Sequence, residues 1–247
     1  MHIEFSFLLA ILVTFAGTVK GITGAGFALA FLPFALLLFP MEHVVIYSLF
    51  FGLFGSPYIW FLKRDEVRYD LLKYYIQSAI LGIIMGFPVL YFTTSEQLRI
   101  IVSVAIIVGA LMMVLSKEIK PFKNEKKAML VAGNLSGILS ITSSLAGPPL
   151  MMLLAKQRLN NKAYRATIAA CFTFVFSFSF IMWLFIDSAA LLAVVGSGIP
   201  AIPFLFLGIG IGMKIFHLVP AGALSRCMLY LLIISGVFNL IRGLYGI

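Results

Sequence analysis

Charge is what this sequence has least of. Only 11% of its 247 residues are Asp, Glu, Lys or Arg, against about a quarter in a soluble domain. At the same time 62% are hydrophobic and the mean hydropathy is +1.10. So little polar surface excludes a soluble globular protein and leaves an integral membrane protein. Strict apolar/polar alternation is also missing, which excludes a membrane barrel. The apolar runs, about 15–25 residues long, read as membrane helices. Cysteine is scarce too. Cys171 and Cys227 lie singly inside apolar runs, so no disulfide framework and no metal site is expected. The start "MHIEFSFLLA" has no basic region and no small-residue cleavage site, so no signal peptide is expected.

What is present is ordered. Apolar segments run over about 5–19, 25–39, 44–62, 71–92, 98–116, 128–142, 148–155, 163–186, 189–213 and 224–243. Between them lie three basic loops: Lys63, Arg64, Arg68 and Lys73; Lys117, Lys120, Lys123, Lys126 and Lys127; and Lys156, Arg158, Lys162 and Arg165. The positive-inside rule places all three in the cytoplasm. Fifteen of the 18 Lys/Arg then fall inside, the exceptions being Lys20, Arg99 and Arg242. Glu4, Glu42, Glu96 and Asp187 fall outside, as do both termini. Residues 148–155 are too few to cross about 30 Å at 1.5 Å per residue, so 128–155 reads as a hairpin that dips in and returns.

The chain also repeats itself. "AGTVKG" at 16–21 matches "AGNLSG" at 132–137, an offset of 116, and Pro33 faces Pro149 at the same offset. "LGIIMG" at 81–86 matches "LGIGIG" at 207–212. The expected organisation is a first repeat over 1–116, a basic cytoplasmic linker over 117–127 and a second repeat over 128–247. Each repeat holds a glycine- or proline-broken hairpin and three spanning helices, so the second is inverted relative to the first. The fold class is therefore an all-α membrane protein of two inverted repeats. Paired broken segments in such halves point to a transport site.

Two stretches carry a family resemblance. "GITGAGFALAFLPFALLL" and "AGNLSGILSITSSLAGPPLMMLLAKQRLNNKAYRAT" resemble the first- and second-half signatures of the TauE/SafE sulfite-exporter family. The usual glycine triplet of the first half is here Gly24-Ala25-Gly26. The resemblance covers nearly the whole chain. It implies a transporter of sulfite, thiosulfate, sulfonates or related oxyanions in the bacterial cytoplasmic (inner) membrane, and no enzyme.

The breaks have chemistry that suits such a cargo. A helix starting inside the membrane offers free N–H groups and partial positive charge. The four glycines of residues 15–27, Gly17, Gly21, Gly24 and Gly26, are expected to break the first helix, and new starts are expected near Gly24–Gly26 and near Gly147, where Pro148 and Pro149 suit the first turn. Thr23, Asn134, Ser136, Ser143 and Ser144 add donors, as do Thr18, Ser140 and Thr142. Each of these hydroxyls could instead return a bond to its own helix. Lys20 has two readings: a side chain that snorkels to the cytoplasmic face, or an intramembrane cation lining the site. Arg165 either gathers anions at the cytoplasmic side or serves only as a topological charge.

All nine carboxylates map to loops or membrane ends. That excludes an acidic proton relay, a carboxylate-lined sodium site and the acidic ring of a cation channel. No cofactor is expected. The partners expected are a small anion and the bilayer, not nucleic acid, with homo-oligomerisation left open. The leading function is alternating-access transport of small sulfur oxyanions or organosulfonates (sulfite, thiosulfate, sulfoacetate-like). The alternatives are an intramembrane hydrolase, using Ser143 or Ser144 with His217, and a non-transporting assembly subunit.

Overall fold

The structure is a computed structural model that describes residues 2–115, 124–154 and 159–216, with 218, 230, 233, 234, 236–238, 240 and 241. Most of the 117–127 linker, Lys156, Arg158, His217 and much of the segment 224–243 lie outside the described residues. Among the described residues the fold is all helix: α1 His2–Thr23, α2 Phe27–Leu38, α3 Met41–Leu62, α4 Tyr69–Tyr91, α5 Ser95–Leu115, α6 Glu125–Ser143, α7 Gly147–Leu154, α8 Asn161–Ile186, α9 Ser188–Gly198 and α10 Ile202–Ile215. Among the described residues four spans are long and apolar enough to cross a membrane: Met41–Leu62, Tyr69–Tyr91, Lys162–Ile186 and Ser188–Ile215. The chain is a multi-pass membrane protein.

Local chemistry sets the ends. Asn124 and Asn160 cap α6 and α8, each accepting a backbone N–H three residues on (3.1 and 2.7 Å). Asp187 caps α9 through Ala190 N (2.9 Å). Such caps satisfy one of the donors that a helix start leaves open. The apolar run 189–213 is not one uniform helix. A 3-10 turn at Ile199–Ala201 divides α9 from α10, where Pro200 and Pro203 remove backbone donors.

Two pairs of helices cross so closely that only glycine fits. Along α1 and α10, a Cβ on Gly17 would lie 2.8 Å from Leu205 O, and one on Gly212 would lie 2.9 Å from Gly21 Cα. Along α4 and α6, one on Gly137 would lie 2.9 Å from Ile83 N, and one on Gly82 would overlap Asn134 O. Thus "AGTVKG" packs on "LGIGIG", and "AGNLSG" packs on "LGIIMG". Each matched motif therefore packs on a copy of the other. Small residues that admit backbone contact are the usual way to hold helices together in lipid.

This corrects one expectation. Gly17 and Gly21 do not break the first helix, which runs unbroken to Thr23. The break is confined to residues 24–26.

Ladders of contacts fix relative directions. Gly17 with Leu205, and Gly21 with Gly212, make α1 and α10 parallel. Tyr75 and Ser78 with Gly133, and Ile83 with Gly137, make α4 and α6 parallel. Tyr47–Ser197 and Tyr58–Phe206 align α3 with α9 and α10. Phe50–Phe180 and Trp60–Phe174 set α8 antiparallel to α3. Phe27 meets Phe51 while Phe39 meets Tyr47, so α2 runs back along α3. A core of aromatic rings, Phe27, Phe31, Tyr47, Phe50 and Phe51, fills the α2–α3 interface.

Candidate functional site

Each hairpin turns through one left-handed residue. In the first it is Gly24 (φ +82°), in the second Ser144 (φ +56°); no others occur among the described residues. Glycine takes this conformation freely. Serine does so at a cost of about 1–2 kcal/mol, and such strain recurs at functional sites.

The first break is built around Thr23. Its Oγ1 donates to Val19 O (2.9 Å) and accepts from Ala25 N (3.2 Å) and Gly26 N (2.8 Å). Gly24 N donates to Lys20 O (2.7 Å). The start of α2, after Gly26, carries no side-chain cap. It begins with buried Phe27, Ala28 and Leu29.

Lys20, one turn earlier, has no exposed surface at all (0%). The structure therefore does not show the snorkelling arrangement. Its Nζ donates to Ser56 Oγ on α3 (2.7 Å) and lies 5.9 Å from the ring centroid of Phe176 on α8. Glycines make the room. A Cβ on Gly55 would lie 3.0 Å from Lys20 Cε, and one on Gly52 would lie 2.5 Å from the Phe176 ring. No carboxylate pairs with Lys20 among the described residues.

Arg165 joins this break from α8. Its Nη2 donates to Gly21 O, and its guanidinium lies 4.7 Å from the centroid of the Phe216 ring. Its Nε is buried without a partner. A Cβ on Gly24 would lie 3.2 Å from Arg165 Cβ and Cγ. Any side chain there would be strained by the positive φ and would push the arginine aside.

The second break is hydroxyl-rich, but most hydroxyls are occupied. Ser136 Oγ donates to Ala146 O (2.8 Å), closing the hairpin. Ser143 and Thr142 return bonds to Leu139 O and Ile138 O (2.8 Å each). Ser179 donates to Ser140 (2.9 Å). Ser144 Oγ is buried and has no partner. A Cβ on Gly147 would lie 3.6 Å from the tip of Phe172, and Phe172 meets Phe176 at a tilt (ring centroids 5.0 Å apart). Two phenylalanine rings therefore run from Lys20 to the start of α7.

The structure brings Lys20, Thr23, Gly24, Gly26 and Arg165 together, and Ser136, Ser143, Ser144 and Gly147 together. Asn134 stands apart: its amide meets Met85 Sδ on α4 (3.7 Å). Sequence reasoning missed Ser56, Phe172 and Phe176. Ser56 is one of two serines in the apolar run 44–62, set beside Pro57, and could have been noticed. Nothing separates the two phenylalanines from the other 22 in the sequence.

The helices, four of them apolar and long enough to span among the described residues, define a polytopic membrane protein, and its buried Lys20 meets no carboxylate among the described residues. The sequence profile of the sulfite exporter TauE/SafE family matches residues 9–239. The chain belongs to that family, whose members are membrane transporters, and the family points to a sulfite or related anion exporter. No curated protein and no solved structure matches the chain.

Proposed function

We propose that the protein moves small sulfur oxyanions or organosulfonates across the bacterial cytoplasmic membrane by alternating access, holding the anion between its two broken hairpins. The observation that carries this reading is Lys20. An ammonium buried with one hydroxyl and one aromatic face is expensive in hydrocarbon, and an anion beside it removes most of that cost. The uncapped start of α2 and the unpartnered Ser144 hydroxyl supply further donors from each side. Phe172 and Phe176 lie between these two groups, where a barrier between the faces of the membrane is needed.

The inverted-repeat reading takes 1–116 and 128–247 as the halves, joined by the basic linker 117–127. It is supported by the helix directions. The helices α1, α3 and α10 run one way and α4, α6 and α8 the other, so the corresponding α1 and α6 oppose each other. In this reading the three basic loops face the cytoplasm and both termini face outside.

The test is reconstitution into liposomes with uptake of sulfite, thiosulfate and a small sulfonate. Saturable, mutually competing uptake is expected. No saturable movement of any of these anions would overturn the reading.

A further inference from the structure

A pocket of about 340 Å³ opens where α3 and α10 end and α8 begins. Its wall carries three cations, Lys63, Lys162 and Arg165, against the apolar Ile59, Met213 and Phe216. Among the described residues no carboxylate lines it. Asp65 lies 4.0 Å from Arg64, Asp70 and Glu125 pair with Arg68 (2.6 and 3.6 Å), and Glu66 makes no ion pair among the described residues and does not line the pocket. Lys63, Lys162 and Arg165 make no ion pair among the described residues.

Arg165 is held in advance. Gly21 O takes one terminal N–H, Phe216 covers its face, and the buried Nε is left without a partner. A fixed guanidinium with an unused donor edge suits an oxyanion. The two lysines add positive potential that raises the local concentration of anions. Fully buried Lys20 does not line this pocket.

We propose that Lys63, Lys162 and Arg165 form a second oxyanion site, a vestibule on the basic-loop side that is separate from Lys20. The ligand is a sulfonate- or phosphate-like group with an apolar neighbour. It comes either from the free anion awaiting transport or from an anionic lipid headgroup. The vestibule's role in capture rests on the transport reading; its binding of oxyanion does not.

The test uses the full chain in nanodiscs, with Lys63→Gln/Lys162→Gln compared with Lys63→Arg/Lys162→Arg. Arg165 is left intact because it also ties α8 to the first break. If the free anion is the ligand, the Gln pair weakens equilibrium binding of radiolabelled thiosulfate and raises the apparent KM for uptake about tenfold, the lower end of electrostatic effects on association. The Arg pair restores both. If lipid is the ligand, native mass spectrometry finds phosphatidylglycerol retained by the wild type and by the Arg pair but lost from the Gln pair, with thiosulfate binding unaltered. If the Gln pair binds thiosulfate and retains phosphatidylglycerol as the wild type does, the vestibule is overturned. A wild type that moves no anion yet loses thiosulfate or lipid on Gln substitution would sink the transport reading and leave this site standing.

Discussion

Replacing Lys20 by alanine is expected to remove most anion binding, while arginine retains a substantial part of it. A hydrogen bond to a charged group contributes about 1.5–3 kcal/mol, which is about ten- to a hundredfold in affinity. Few other groups could compensate. Ser56 is a neutral hydroxyl, and Arg165, held by Gly21 O and Phe216, lines the vestibule, which buried Lys20 does not. Arginine keeps the charge but must fit beside Gly52 and Gly55, where Phe176 and the lysine stem already fill the space. It should therefore bind less well than lysine and clearly better than alanine. Titration of labelled thiosulfate against the three purified proteins measures this ranking. Normal binding and flux in the alanine variant would make Lys20 a packing residue only.

A single methyl group at Gly82 should cost more than any change in the site. Its Cβ would overlap the backbone carbonyl of Asn134, and Asn134 C would lie 2.9 Å away. Backbone cannot step aside as a side-chain tip can, so α4 and α6 must separate along their contact. Overpacking a core typically costs about 1–3 kcal/mol, and parting two helix backbones belongs at or beyond the upper end. Gly212→Ala, on the α1–α10 crossing, should behave alike, because its Cβ would overlap Thr18 O. Gly210, two residues away, is the control. Nothing lies within 4 Å of a Cβ there, and removing a helix-interior glycine stabilises by about 0.5–1 kcal/mol. Thermal unfolding and size-exclusion profiles in detergent should show Gly82→Ala and Gly212→Ala melting low or aggregating, and Gly210→Ala unchanged or slightly improved. Equal behaviour of all three would contradict the close crossings.

These cases mark how far the sequence could be read. Hydropathy located the described helices to within a few residues, because lipid demands apolar runs of set length. The matched motifs around Gly17 and Gly133, and around Gly82 and Gly208, were visible as repeats. Their purpose was not. A glycine that breaks a helix and one that admits a neighbouring backbone look alike until the neighbour is placed, so Gly17 and Gly21 read as part of the break.

Lys20 had two readings because burial is a property of the whole bundle. Only the approach of α3 and α8 put Ser56 and Phe176 beside it. Most hydroxyls of "SITSS" bond within their own hairpin or to α8, which leaves Ser144 as the one with an unused oxygen. Asn134 was chosen for its polarity, yet the α4 crossing turns its amide to Met85. Helix starts do fall just after Gly26 and at Gly147, since glycine- and proline-led starts are local properties that a sequence displays, whereas the positive φ at Ser144 left no such mark.

The account rests on an anion sitting against Lys20 between the two breaks. An experimental structure determined with selenite, whose selenium scatters anomalously in place of sulfur, tests that directly. The account predicts an anomalous peak within hydrogen-bonding distance of Lys20 Nζ, between residues 20–26 and 143–147. Ordered Lys20 with no peak there, at selenite concentrations that block sulfite uptake, would contradict it.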